Sequence, residues 1–244
     1  MDRATVTKPI AVKANWDTRL EMRLTEPNAA RVLNTLTLFR LARHEQSTLS
    51  RASLERWITD ALAAKRLIKV VRGLYLNRMT TPPAELTEAA GWLRPGAIVS
   101  LQTVLGDCGA WNNFTDAATA VVPFSFDAVR PSLGTRSTQA GQFHFRGIPE
   151  AVLLAGREAD RLADVYGYLR ATPEAALLHW IYLANSPRSN LSAPPLDIDL
   201  DDLNLPRLQR LAKAMQLEDA LNKWLEVKHA YDESPSVAEQ TWIP

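Results

Sequence analysis

The chain has 244 residues, 46% hydrophobic and 23% charged, a balance that builds packed cores and excludes a disordered or fibrous chain. No run of 18 apolar residues occurs and the first residues lack an apolar stretch, so neither a transmembrane helix nor a secretory signal is expected. The net charge of +1 hides an asymmetry, because residues 1–94 carry 16 Lys+Arg against 9 Asp+Glu and residues 95–244 carry 12 against 18, which assigns phosphate contact to the first half.

Residues 1–26 show little periodicity and read as an arm with one short helix near Asn15–Leu24. Pro27 and Asn28 suit a helix start, and the pattern predicts a helix to about Arg43 with Val32, Leu33, Leu36 and Phe39 inward. The polar stretch 44–50 is a turn, and Ser50 or Ser53 can cap the next helix. In that helix Leu54, Trp57, Ile58, Ala61 and Leu62 share one face, with Ala52, Arg56, Thr59 and Ala63 opposite. A core stripe backed by small and hydrogen-bonding residues suits a helix that enters a DNA groove. Leu67–Val71 and Leu74–Asn77 are β-prone and flank Arg72-Gly73, where glycine supplies the positive φ of a tight hairpin. Residues 27–80 are therefore expected to form a winged helix-turn-helix. The two prolines of RMTTPPAE mark a linker after it.

Residues 84–232 are expected to form a mixed α/β domain, giving a helix-rich α+β chain, with a poorly ordered tail over 233–244. Ala84–Leu93 reads as a short helix stopped by Pro95-Gly96, and Ala97–Leu105 reads as helical. Ala118–Val122 reads as a buried strand ended by Pro123, followed by a loop-rich 125–142. Gln142–Arg146, Val152–Leu154 and Val165–Leu169 read as further strands. Thr172-Pro173-Glu174 opens a helix to Leu183, with a cap, a proline at the first position and an acid at the positive end of the dipole. Residues 185–206 are loop-like and acidic. One or two helices fill 206–231, with Leu211, Met215, Leu221, Trp224 and Leu225 inward.

Three segments in this order carry a family resemblance: Arg72, Gly73 and Tyr75; then Leu93, Pro95, Gly96, Ser100, Leu101 and Leu105; then Ala171, Thr172, Pro173, Glu174 and Leu177. Over about residues 28–230 the chain resembles the AbiEi-type antitoxins of bacterial abortive-infection (type IV toxin–antitoxin) operons. It departs from them at Ala175, where the family has Arg, and at His179, where it has Asp. It also departs in the short HEQSTLS stretch, which leaves the middle helix of the winged module short or missing. The resemblance implies a two-part cytoplasmic regulator. Its winged helix binds inverted repeats in its own promoter as a transcriptional repressor, as a homodimer or as cooperating monomers. Its second domain counteracts a toxin that resembles nucleotidyltransferases, directly or indirectly, in phage defence.

The expected DNA-binding residues are Arg51, Arg56, Thr59, Lys65, Arg66, Lys69, Arg72 and Arg78. Lys65, Lys69, Arg72 and Arg78 suit phosphate contacts at the hairpin, and Arg56 is long enough for a bidentate contact to guanine. Thr59 can meet a thymine methyl or accept a hydrogen bond. A protein-interaction module that neutralises a toxin without reading DNA is the alternative.

Catalytic patterns are lacking. His44, His144, His179 and His229 form no metal-ligand pair, and the single Cys108, whose solitude fits a reducing compartment, has no adjacent base. Asp197, Asp199, Asp201 and Asp202 fail calcium-loop spacing, with Asp202 at the glycine position and Leu208 at the final ligand, and read as a solvated acidic loop. No enzyme activity, cofactor or metal is expected. The tryptophans at 57, 92, 180 and 224 read as core, and Trp111, beside Asn112 and Asn113, as a loop aromatic that can meet a partner.

Overall fold

The computed structural model describes residues 15–112, 116–125, 127 and 131–234. Residues 1–14 of the expected arm 1–26 and residues 235–244 of the expected tail 233–244 lie outside the described residues. The chain divides into two compact units between Ala84 and Glu85.

The first unit runs α1 (Trp16–Leu24), β1 (Val32–Asn34), α2 (Thr35–Glu45), α3 (Arg51–Ala63), β2 (Leu67–Val71) and β3 (Leu74–Asn77). Leu20 and Leu24 of α1 join Leu38 and Ala42 of α2 and Leu54, Trp57, Ile58 and Ala61 of α3 in one core, closed by Leu33, Leu67 and Tyr75 of the sheet. Each fully buried leucine there contributes about 1.5–3 kcal/mol. Arg19 and Arg23 of α1 pair with Glu45 at the end of α2.

The helix expected from Pro27 to Arg43 is corrected. It starts at Thr35, because Val32–Asn34 pair antiparallel with β3 and Asn34 then caps α2, accepting from the Thr37 amide at 2.7 Å. The later start turns Leu36 outward, at 56% exposure, and Leu38 inward. Ser50 caps α3, accepting from Ser53 N. The sheet order is β1-β3-β2, all antiparallel. Val71 pairs with Leu74 across the Arg72-Gly73 turn, and Gly73 has φ +79°. The Gly73 carbonyl accepts from the Thr35 amide at 3.0 Å, tying the hairpin tip to the first turn of α2. Buried Asn77 donates to the carbonyls of Leu24 and Ala30, closing the other end of the sheet on α1.

The second unit opens with a 3-10 turn (Leu86–Ala89) and continues α4 (Ala90–Leu93), β4 (Ile98–Val99), α5 (Gln102–Asp107), β5 (Ala117–Phe124), β6 (Gly134–Ser137), β7 (Gln142–Pro149), α6 (Glu150–Leu153), α7 (Glu158–Arg161), β8 (Leu162–Val165), β9 (Tyr168–Ala171), α8 (Pro173–Asn185), α9 (Leu205–Ala214) and α10 (Glu218–Asp232). Six strands form a mixed sheet in the order β6-β7-β5-β4-β9-β8. The eight-pair parallel ladder of β5 and β7 is its spine. Phe143 and Phe145 stack on one side of it, ring centroids 5.7 Å apart. Helix α8 is apolar all round and buried along most of its length, as an interior helix must be. Thr172 caps it, accepting from the Ala175 amide.

Four sequence expectations fail here. The helix over Ala97–Leu105 is instead the short strand β4 and, after Leu101 at φ +59°, helix α5. Pro123 does not end β5. It sits inside the strand, opposite Ile148, and on the other edge pairing with β4 has already stopped at Val121, so its missing amide costs no ladder bond there. Val152–Leu154 belongs to the turn of helix α6. Val165–Leu169 straddles a hairpin turn in which Tyr166 and Gly167 both have positive φ, between β8 and β9.

Segment 186–204 has no regular structure, yet three side chains hold it. Trp180 Nε1 donates to Ser192 O, Trp224 Nε1 to Pro194 O, and the buried Lys228 Nζ to Leu196 O, each within 3.0 Å. Trp111 is corrected from a partner-facing loop aromatic to a buried ring packed edge-on against Trp180 at 5.5 Å. Trp92, read as core, is 53% exposed. No helix among the described residues is long and apolar enough to cross a membrane.

Candidate nucleic-acid interface

The outer face of α3 is open to solvent. At 100° per residue, Ala52, Arg56, Thr59 and Ala63 lie along one ridge, and all four are exposed. The alanines keep both ends of the ridge low. Arg51 and Glu55 flank one side as an ion pair of 3.0 Å, and exposed Asp60 flanks the other. Glu55 is thus neutralised by its neighbour, and Arg56 has no ion-pair or hydrogen-bond partner among the described residues. Thr59 donates its hydroxyl to the Glu55 carbonyl at 3.0 Å, which fixes its side chain while leaving an acceptor lone pair.

The other expected residues separate into free and tethered groups. Arg72 is exposed at the hairpin turn without an intramolecular partner among the described residues. Lys65 is exposed at the junction of α3 and β2 with φ +56°, a left-handed conformation that costs a lysine about 1–2 kcal/mol. The amides of Lys65 and Arg66 close the helix by donating to Leu62 O and Ala61 O. Lys69 is half-buried opposite Tyr75, set back from the tip. Arg66 turns inward: its guanidinium pairs with Glu21 of α1, which also accepts from Trp57 Nε1 at 3.1 Å. Arg78 is exposed but spends one N–H on the Ala84 carbonyl at 2.7 Å. Arg40 of α2 was not among the expected residues, although it too is exposed and unpaired among the described residues. Its signal was masked by reading α2 in the wrong helical frame.

In the second unit the motif residues meet each other. Ser100 Oγ lies 2.8 Å from His179 Nδ1, both buried, joining the middle motif to the helix that opens with Thr172-Pro173-Glu174. Burial holds the imidazole neutral, its pKa lowered to about 3. Glu174 is buried and accepts from the Asn204 amide and from Arg207, so it braces the start of α9. Asp160 gathers Arg157 and Arg210 at 2.9 and 3.0 Å, and the Arg210 hydrogen bond holds its carboxyl below the usual range. These contacts fasten α7, α8 and α9 together. Cys108 is half-buried, with its thiol pushed up by burial, and its Sγ donates to Leu105 O. Among the described residues, no group of three His, Cys, Asp or Glu stands close enough to hold a metal ion.

No protein-family model matches the chain, and no curated protein matches it in sequence. Among solved structures, it is similar to the crystal structure of the RV2827C protein from Mycobacterium tuberculosis, with a TM-score of 0.51 and 19% identity over 84% of this chain and 76% of that one. At this identity the likeness is one of fold alone.

Proposed function

We propose that the first unit is a winged helix-turn-helix and that the chain is a cytoplasmic DNA-binding antitoxin that represses its own operon. One observation carries this reading: a solvent-facing ridge of α3, low at both ends and centred on unpaired Arg56, in a unit whose hairpin ends on unpaired Arg72. The order helix, strand, helix, helix, hairpin, with β1 closing on β3, supports the same assignment. On this proposal α2 serves as the middle helix that the sequence left short. In this reading α3 enters the major groove, while Lys65 and Arg72 neutralise phosphates. Two copies on an inverted repeat and a nucleotidyltransferase-like toxin as the counteracted partner complete the proposal.

The test is a binding isotherm on the DNA upstream of the gene, at two salt concentrations, with scrambled DNA as control. A salt-sensitive preference for the upstream sequence supports repression. Equal affinity for both DNAs removes it. Exposed Asp60 beside Arg56 favours a second reading, in which the same face binds a protein. Co-purification with the neighbouring gene's product, without any DNA preference, is the outcome that selects it.

A further inference from the structure

Strand β7 outruns β6. The edge strand begins at Gly134, opposite Phe145, while β7 continues to Pro149 with only β5 paired to it among the described residues. A cavity of about 500 Å³ opens there, between the ends of β5 and β7 and the end of α8 with the turn that follows it. That volume falls in the range of roughly 300–1,000 Å³ typical of small-ligand sites. All of its described lining residues belong to the second unit.

The lining is mainly apolar and includes Phe124, Leu133, Phe145, Pro149 and Leu183. Gly147 shapes one wall. A Cβ there would stand 2.8 Å from Leu133 Cδ1 and 3.2 Å from Phe124 Cδ1, so the absent side chain lets Leu133 and Phe124 close over β7. Leu133 lines the cavity and is still 47% exposed.

The polar groups come mostly from α8 and the turn after it. Between Glu174 and Leu183, Tyr182 is the one residue of α8 that is not buried. Its hydroxyl has no hydrogen-bond partner among the described residues and is not sealed off, so an incoming atom can reach it. Arg188 is exposed in the turn that the Ser189 amide closes on Ser186 O, and its charge offsets part of the rise that burial imposes on the Tyr182 phenol. Arg146 adds a second guanidinium, one N–H of which donates to Asn190 Oδ1 at 2.8 Å. No carboxylate is among the described lining residues. An apolar bed edged by cations and a phenol is complementary to a molecule with an apolar body and one anionic end.

We propose that this cavity binds a medium-chain fatty acid, its alkyl chain against Phe124, Leu133 and Pro149 and its carboxylate accepting from the Arg188 guanidinium and the Tyr182 hydroxyl. The chain gains from leaving water, and the head gains charge-assisted hydrogen bonds. A nucleotide or sugar phosphate fits worse, because its many polar groups would face apolar walls without partners. This site is independent of the DNA reading and lies within one unit.

The test is calorimetric titration of the full chain with decanoate, octanoate, hexanoate and decanol, each below the concentration at which it self-assembles. Saturable binding of decanoate is expected, weakening about fourfold for each methylene removed. Decanol should bind at least about tenfold more weakly than decanoate, since it lacks the charge-assisted contacts. Arg188→Gln should cost decanoate about tenfold and leave decanol unchanged, and Tyr182→Phe should cost it about two- to tenfold. A merely structural role for either residue would weaken acid and alcohol alike, and that result overturns the assignment of the head. If decanoate does not saturate, or if it binds no better than decanol, the proposal falls. If an acetylated tripeptide ending in leucine saturates the site and decanoate does not, the cavity reads a chain terminus and the fatty acid is excluded. No DNA is present, so failure here leaves the proposed function untouched.

Discussion

Arg56 is central on the α3 ridge and free of any intramolecular carboxylate among the described residues. Replacing it with alanine should lower affinity for the upstream DNA by roughly 10–100-fold while leaving scrambled DNA almost unchanged, because one bidentate base contact is worth about 1–3 kcal/mol. Lysine should not restore the preference, since it lacks the planar fork. Arg51→Ala, which breaks an exposed pair with Glu55, should change stability little but weaken both DNAs alike, because it removes a cation and leaves the Glu55 charge beside the ridge. Buried His179 makes a different prediction. Its folded pKa of about 3 lies below the ordinary value, so the unfolded chain takes up the proton first. Stability is therefore full above about pH 6.5 and falls as the pH drops toward 3. Asp160 adds a later loss: its carboxyl is depressed by Arg210, so its contribution holds above the ordinary carboxylate range and disappears as acid reaches the folded value. Urea unfolding from pH 7 to 3 should show both, and His179→Gln should flatten the upper part of that slope. A curve flat between pH 6.5 and 4.5 in the wild type would contradict the first step.

The β2–β3 hairpin shows how one position governs an element. A Cβ at Gly73 would stand 3.3 Å from Thr35 Oγ1, at a φ that side chains avoid. Gly73→Ala should cost about 1 kcal/mol or more and weaken DNA binding by displacing Arg72, read by thermal melting and by the binding isotherm. This hairpin was legible in the sequence, with strand limits reproduced residue for residue, because its β-prone runs and its glycine are local signals. The same holds for α3, with its Ser50 cap and 3.6-residue stripe, and for α8, with Thr172-Pro173 at its start. Elements defined by distant partners were not legible. Val32–Asn34 becomes a strand only because β3 lies beside it, and Ile98–Val99 only because it is wedged between β5 and β9. The candidate site divides the same way. Exposure of Arg56 and Thr59 followed from periodicity, whereas capture of Arg66 by Glu21, 45 residues away, left no local trace.

Over the whole molecule, charge is sorted by unit. Residues 1–84 hold 15 Lys+Arg and 7 Asp+Glu, and residues 85–244 hold 13 and 20. A net charge of +1 therefore understates the local field at the first unit. Log affinity for DNA against log salt should have a slope of about −3 to −5 per copy, as expected for several cations on phosphates. A slope near zero would remove the phosphate contacts from the proposal. The second unit carries a feature with its own outcome. The carbonyls of Ser192, Pro194 and Leu196 are each gripped by an indole or an ammonium, while the amides of Ser192, Ala193 and Leu196 donate to nothing among the described residues and Pro194 and Pro195 have none. Such a segment is rigid through its acceptors and open through its donors. In deuterated water its amides should exchange at close to unprotected rates, while a protease that needs the backbone to bend into its cleft passes it by.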